Sequence, residues 1–184
     1  MRALVVYESM FGNTAAVARA VADGISSTMQ VELVPVDAAP SHLPDDVALL
    51  VVGGPTHAFG LSRRSTRRSA ADRVSPTVTS EGVGLREWID HLHIGRRGVP
   101  TATFDTRMRR PRMPGSAARR AATRLRRGHV RLVAPPETFW VDGATGPLVD
   151  GQVDRARLWG VRLGWIATGP GRHPSSMEHW PLAG

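Results

Sequence analysis

The sequence predicts a doubly wound α/β fold, in which a five-stranded parallel sheet lies between two layers of helices. Two apolar runs, Leu4–Tyr7 and Val47–Val52, lack the alternation of a half-exposed strand, and such runs are typical of parallel strands covered on both faces. Segments with a helical period of 3.6 residues separate the strands. The 184 residues include no cysteine, so one core forms without disulfides, and thiolate metal sites are excluded.

The elements follow one another as alternating strands and helices. Strands are predicted over 4–7, 29–36, 47–52 and 99–104, and a fifth is predicted in two pieces, 130–133 and 138–141, around Pro135-Pro136. Helices are predicted after Thr14 and over 65–74, 85–92, 116–127 and 150–167, with a single turn or a loop over 38–46. Residues 1–168 form one predicted domain, and 169–184 form a predicted flexible tail.

The loop from Glu8 to Thr14 joins the first strand to the first helix. Its small and polar residues leave several backbone N–H groups unpaired at the helix start, where the helix dipole is positive. A phosphate is the natural ligand of such a site. The eight residues that carry a wider pattern are Val5, Val6, Tyr7, Ser9, Gly12, Thr14, Ala18 and Val21. With this spacing they match every specified position of the flavodoxin signature, and the chain resembles that family.

The resemblance implies a fold, a cofactor and a first set of binding residues. In flavodoxins the matching loop holds the 5′-phosphate of FMN, and the strand order is 2-1-3-4-5. It therefore implies FMN as the cofactor of a flavodoxin-like sheet with helices on both faces. The residues implied at the phosphate are Ser9, Met10, Phe11, Gly12, Asn13 and Thr14.

Two further loops resemble those that flank the flavin ring in flavodoxins and flavodoxin-like quinone reductases. After the third strand come Pro55, Thr56, His57, Ala58, Phe59 and Gly60. His57 or Phe59 could lie on a ring face, and Gly53 and Gly54 would let the backbone approach the flavin. After the fourth strand come Phe104, Asp105, Thr106 and Arg107.

The last of these loops departs from the flavodoxin pattern. Flavodoxins usually have a tyrosine and acidic residues there, whereas the one tyrosine of this chain is Tyr7. The resemblance leaves Phe104, Thr106 or the main chain to cover that ring face, or leaves the face open.

All 24 basic residues are arginines, and they are clustered. Residues 63–73 contain five arginines and one acid, and residues 107–131 contain ten arginines and no acid. Right-handed crossovers place the helices after the third and fourth strands on one face, so we expect one basic surface beside the flavin. The partner predicted for it is an acidic redox protein or a phosphate-bearing nicotinamide dinucleotide.

The resemblance supports two redox functions and leaves a third open. The first is an FMN-binding electron carrier, and the second is an FMN-dependent NAD(P)H or quinone oxidoreductase with His57 or Arg107 near the acceptor. The third is a binding module without turnover. The seven histidines lack a metal-binding spacing, so no metal site is predicted. Nucleic-acid binding is disfavoured because no reading motif accompanies the arginines, and the lack of a long apolar run favours a cytoplasmic protein without a membrane span.

Overall fold

A parallel β-sheet forms the centre of the computed structural model, which describes residues 1–56, 60–62, 83–110, 114–143 and 145–169. Within these residues the strands are β1 (Arg2–Tyr7), β2 (Gln30–Pro35), β3 (Val47–Pro55), β4 (Pro100–Met108), β5 (Arg131–Leu132) and β6 (Glu137–Val141). Their order is β2-β1-β3-β4-β5, and β6 also pairs with β4. The predicted strand order is therefore confirmed.

The interrupted fifth strand is also confirmed. β5 pairs in parallel with the first residues of β4, and β6 pairs in parallel with its last five. Pro135 and Pro136 lie between the two pieces, where proline cannot donate a ladder hydrogen bond. As a result, β6 brings its own side chains to the carboxyl edge of the sheet.

Helices cover both faces of this sheet. They are α1 (Asn13–Ser26), α2 (Leu85–His91), α3 (Ala117–Leu125) and α4 (Gln152–Thr168), with single 3-10 turns at Val36–Ala38 and Arg126–Gly128. Buried side chains of α1 and α4 share one core with the sheet, and those of α2 and α3 share the other. The predicted three-layer arrangement is confirmed. The prediction that the helices after the third and fourth strands lie on the same face of the sheet is also confirmed for α2 and α3. The predicted helix over 65–74 lies outside the described residues, as does the tail from residue 170.

Helices α1 and α4 approach each other closely at two glycines, Gly24 of α1 and Gly160 of α4. A Cβ atom on Gly160 would lie 2.2 Å from the carbonyl oxygen of Val21, and one on Gly24 would lie 2.1 Å from that of Arg157. Real Cβ atoms do not approach backbone so closely. The two helix backbones are thus in direct contact, which brings α4 tightly against the helix that begins at the first loop.

Strand β4 corrects two predictions. It continues through Met108 rather than ending at Phe104, so Asp105, Thr106 and Arg107 are strand residues. Phe104 is fully buried, and its ring packs edge-to-face against Phe139 and Trp159, with ring centroids 6.0 and 6.1 Å away. The interpretation of Phe104 as a side chain covering a flavin ring is therefore wrong, because the ring belongs to the core on the α1 and α4 face.

The same ring explains Gly53. A Cβ atom on Gly53 would lie 2.0 Å from the Phe104 ring, and one on Gly54 would lie 3.0 Å from Leu85 of α2. Core packing on the two faces of the sheet thus accounts for both glycines. The expected close approach of a ligand is not needed to explain them.

Candidate functional site

A small cavity lies at the carboxyl edge of the sheet, beside the start of α1. The described residues that line it are Met10, Phe11, Asn13, Thr14, Pro55, Thr56, Thr106, Arg107, Met108 and Val141. Its volume is about 50 Å³, which is enough for a few waters or one phosphate-sized group. Pockets that enclose whole ligands usually measure several hundred Å³, so this cavity can hold only part of a large molecule.

The cavity brings together residues from all three predicted loops. The predicted residues that line it are Met10, Phe11, Asn13, Thr14, Pro55, Thr56, Thr106 and Arg107. Gly60 does not line it, and a Cβ atom on Gly60 would lie 2.4 Å from the Arg120 side chain. His57, Ala58 and Phe59 lie outside the described residues.

The first loop turns into α1 through a glycine. Gly12 is the N-cap, with φ of 82° in the left-handed region, and it supplies no side-chain cap. Instead the hydroxyl oxygen of Ser9 accepts a hydrogen bond from the Ala15 amide at 3.2 Å. Among the described residues, no acceptor reaches the amides of Asn13 and Thr14. The start of α1 therefore presents N–H groups to the cavity wall, as an anion site requires.

Two buried threonine hydroxyls add to this donor set. Thr14 Oγ1 and Thr106 Oγ1 lie 2.7 Å apart, and both side chains are almost fully buried. One hydrogen is shared between the two oxygens, so the second hydroxyl hydrogen remains for another acceptor. Hydroxyls from the first loop and from β4 thus meet at the cavity.

Asn13 is held in place by the loop after β6. Its side-chain Nδ2 donates to the Thr145 carbonyl oxygen at 2.9 Å. Gly146 lies against the same amide, since a Cβ atom there would come within 2.4 Å of it. This contact fixes the side chain at the first position of α1.

Arg107 supplies positive charge to the lining of the cavity. Its Nη1 donates to the Gly115 carbonyl oxygen at 2.8 Å, and its guanidinium lies 5.5 Å from the centroid of the Trp140 ring. This distance is within the range of cation–π attraction. No acidic residue is among the described residues that line the cavity. Amides, hydroxyls and a guanidinium without a carboxylate suit a phosphate.

Asp105 is hydrogen-bonded to Thr56, which lines the cavity, and has a structural role. Its side chain is fully buried, and its Oδ2 accepts hydrogen bonds from Thr56 at 2.9 Å and Ser116 at 2.6 Å. The same oxygen accepts from the Ala118 amide at 3.1 Å, while Oδ1 accepts from Thr138 at 2.8 Å. The carboxylate thus joins β3, β4, β6 and the start of α3. It positions Thr56 for the cavity and is not itself a lining residue.

The structure adds functional candidates that the sequence did not single out. Met108 and Val141 line the cavity because β4 and β6 both extend to the carboxyl edge, and Trp140 contacts Arg107 there. Glu8 is 1% exposed, and its Oε2 accepts from the Leu85 amide at 2.8 Å. Glu8 directly follows a buried apolar strand, so the sequence could have predicted that its carboxylate is buried. A buried carboxylate needs a hydrogen-bond donor, which here is the Leu85 amide.

The arginine surface is partly neutralised where the structure describes it. Arg109 pairs with Asp142 at 3.2 Å, and Arg124 of α3 pairs with Asp90 of α2. The other arginine cluster, residues 63–73, lies outside the described residues. The single surface expected from both clusters therefore stays a prediction.

The fold is shared with solved flavodoxins at low sequence identity. A flavodoxin from the domain Archaea is 16% identical, with a TM-score of 0.62 over 92% of this chain and 100% of that chain. Flavodoxin 1 from Bacillus cereus is 16% identical, with a TM-score of 0.61 over 89% of this chain and 97% of that chain. The flavodiiron protein from Giardia intestinalis is 20% identical, with a TM-score of 0.59 over 91% of this chain and 36% of that chain.

These similarities establish a flavodoxin-like fold. No protein-family model matches the sequence, and no curated protein matches it. None of the helices in the described ranges has the length and apolar character needed to cross a membrane.

Proposed function

We propose that this chain binds FMN through its phosphate at the cavity and carries electrons as a flavodoxin-like protein. The observation that carries the proposal is the donor set at the start of α1, where unpaired amides, buried hydroxyls and Arg107 line a cavity with no described acid. The likeness to solved flavodoxins supports it. FMN supplies the redox chemistry when bound, and the protein supplies binding, orientation and electrostatics.

The residues divide this work according to their position. The amides of Asn13 and Thr14 would bind phosphate oxygens, and the hydroxyl pair of Thr14 and Thr106 would donate a further hydrogen bond. Arg107 would balance the negative charge. Pro55, Thr56 and the neighbouring residues 57–59 are proposed to contact the rest of the cofactor, and Phe59 or His57 would face the ring.

Removing the hydroxyl of Thr14 should weaken FMN far more than riboflavin, which lacks the phosphate. A charge-assisted hydrogen bond contributes about 1.5–3 kcal/mol, so we expect Thr14→Val to raise the FMN dissociation constant about 10- to 100-fold. The double variant Thr14→Val with Ser9→Ala should bind FMN more weakly still. Quenching of flavin fluorescence in parallel titrations with FMN and riboflavin measures both constants.

Thr103→Val is the matched control for that experiment. Thr103 is also buried, and its hydroxyl donates to the Ala118 carbonyl oxygen, away from the cavity. This variant should lose stability and keep its affinity for FMN. If Thr14→Val weakened FMN and riboflavin equally, the phosphate would not be bound here and the proposal would be wrong.

Arg107 should raise the potential at which bound FMN accepts its second electron. A positive charge about 8 Å from the ring stabilises the added negative charge by roughly 2 kcal/mol at an effective dielectric of about 20. This energy equals about 90 mV for a one-electron step, and salt reduces it. We therefore expect Arg107→Gln to lower that potential by tens of millivolts at low ionic strength.

Potentiometric titration measures this shift, with Arg131→Gln as its control. Arg131 is exposed, and in the sheet it lies opposite Pro100, the first residue of β4. It is therefore at the amino end of β4, far from the cavity at the carboxyl end, and its replacement should leave the potential unchanged. Equal potentials in the wild type and Arg107→Gln would show that Arg107 does not act on the flavin.

An FMN-dependent NAD(P)H or quinone oxidoreductase is the second candidate. One observation favours it: a larger cavity adjoins the first at Arg107 and could receive a second substrate. Consumption of NAD(P)H by the FMN-loaded protein, with and without a quinone, separates this enzyme from a carrier. A chain that binds no flavin in these experiments would instead fit a binding module without turnover.

A further inference from the structure

Two histidines that are far apart in the sequence lie side by side at the amino edge of the sheet. The rings of His42 and His93 are stacked, with centroids 4.7 Å apart and an angle of 14° between their planes. His42 lies in the segment that leads into β3, and His93 lies between α2 and β4. Both therefore precede the amino ends of their strands, whereas the proposed FMN site lies at the carboxyl edge.

The backbone holds the two histidines in this register. His42 and His93 form an isolated parallel β-bridge. The Leu43 amide donates to the His93 carbonyl oxygen at 2.9 Å, and the His93 amide donates to the Ser41 carbonyl oxygen at 2.9 Å. The two residues are thus neighbours in a hydrogen-bonded ladder, so the backbone itself keeps their imidazoles together.

Each ring of the pair has a nitrogen that a ligand can reach. Both residues are exposed. The Ser41 hydroxyl oxygen lies 3.2 Å from His42 Nδ1, and when this nitrogen donates its hydrogen to Ser41, Nε2 keeps its lone pair. Within the described ranges, the His93 ring makes no hydrogen bond or ion pair. Histidines that bind metals usually have such a partner as Ser41 on the nitrogen that faces away from the ion.

A transition-metal ion suits this pair better than other cations do. Imidazole nitrogen is a favourable ligand for Zn, Cu and Ni, whereas Mg and Ca prefer oxygen ligands. Two imidazole nitrogens that share one ion lie at most about 4.2 Å apart, which is twice the usual Zn–N distance. Because the ring centroids are 4.7 Å apart, turning one ring about its Cβ–Cγ bond brings a nitrogen of each ring within that range. No group of three or more metal-binding side chains occurs among the described residues, so water would complete the coordination.

We propose that His42 and His93 bind one divalent transition-metal ion between them. The affinity follows the general order for nitrogen ligands, with Cu²⁺ bound more tightly than Ni²⁺ or Zn²⁺, and Mn²⁺ bound most weakly. The ion joins the segment before β3 to the segment after α2. The site does not depend on FMN, because it lies at the opposite edge of the sheet.

Isothermal titration of the full chain with Cu²⁺, Zn²⁺ and Mg²⁺ tests this site. We expect the tightest event to be one Cu²⁺ per chain, with weaker binding of Zn²⁺ and no binding of Mg²⁺. His42→Gln and His93→Gln should each weaken Cu²⁺ at least tenfold, since loss of an outer-shell partner alone costs about 10- to 100-fold. Both residues are exposed, so both variants should fold normally.

His91→Gln is the matched control for these variants. His91 is also exposed and lies two residues from His93, but its Nδ1 is hydrogen-bonded to the Glu87 carbonyl oxygen at 2.7 Å. It should bind Cu²⁺ like the wild type.

Electron paramagnetic resonance of the Cu²⁺ complex gives a second signature of the pair. We expect two coordinated imidazoles in the wild type and one in His93→Gln. Equal weakening in the pair variants and in His91→Gln would mean that Cu²⁺ binds scattered surface histidines, and would overturn the proposal. An affinity unchanged in both pair variants, or Mg²⁺ binding as tightly as Cu²⁺, would also overturn it.

Discussion

Replacing Asp105 with alanine is expected to lower the free energy of unfolding by about 3–5 kcal/mol. The fully buried carboxylate accepts hydrogen bonds from three side-chain hydroxyls and one backbone amide. Alanine leaves those donors without an acceptor in an environment that excludes water, and each unsatisfied donor costs about 1–3 kcal/mol unless it finds a new partner. Urea denaturation followed by circular dichroism measures the loss.

Two further variants show whether the hydrogen bonds cause that loss. Asp105→Asn keeps the shape and one acceptor oxygen, and the Thr138 hydroxyl can turn to accept from the new amide. Its loss should be smaller, about 1–3 kcal/mol. Asp23→Ala removes an exposed carboxylate from α1 and should change stability by less than about 0.5 kcal/mol. A loss below about 1 kcal/mol for Asp105→Ala would contradict this role.

Replacing Gly160 with alanine should destabilise the chain by about 3 kcal/mol. Helix propensity alone favours alanine over glycine by about 1 kcal/mol. The new methyl group, however, would lie 2.2 Å from the Val21 carbonyl oxygen, an atom of the α1 backbone. Because a backbone cannot move aside like a side chain, α1 and α4 must separate and lose their shared packing.

Gly164→Ala is the comparison variant for this interface. Its methyl group would meet Thr28 Oγ1 at 2.2 Å, and a threonine side chain can rotate away. Its loss should therefore be clearly smaller when both variants are measured by urea denaturation. A Gly160→Ala protein as stable as the wild type, or more so, would show that helix propensity outweighs the close contact.

The sequence predicted the elements whose local patterns are strong. Uninterrupted apolar runs marked β1 and β3 as buried strands, and the Gly12 turn marked the start of α1. These features depend on neighbouring residues, so they are readable along the chain. The strand order came from the resemblance to flavodoxins, and the sheet confirms it.

The residue at which β4 ends could not be predicted from neighbouring residues in the sequence. Asp105 and Thr106 interrupt an apolar pattern, which predicts a loop, yet both are buried in a strand. Their polar atoms are satisfied by partners distant in sequence, such as Ser116 for Asp105 and Thr14 for Thr106. Phe104 was misassigned for the same reason, because a strand that ends there would expose its ring, whereas the longer strand directs it into the core.

The larger cavity shows another limit of sequence reasoning. Clustered arginines predicted a basic region, but the sequence could not show that Arg107, Arg119 and Arg120 line one cavity. That grouping depends on how β4 and α3 pack together.

The most direct test of the FMN proposal is the thermal melt of the purified chain with saturating FMN and, in parallel, with riboflavin. Ligand that binds only the folded state at about a thousand times its dissociation constant adds roughly 4 kcal/mol of stability. We predict a rise in melting temperature of several degrees with FMN and a much smaller one with riboflavin at the same concentration. A melting temperature that FMN does not raise, or that riboflavin raises equally, would contradict phosphate-directed FMN binding at this cavity.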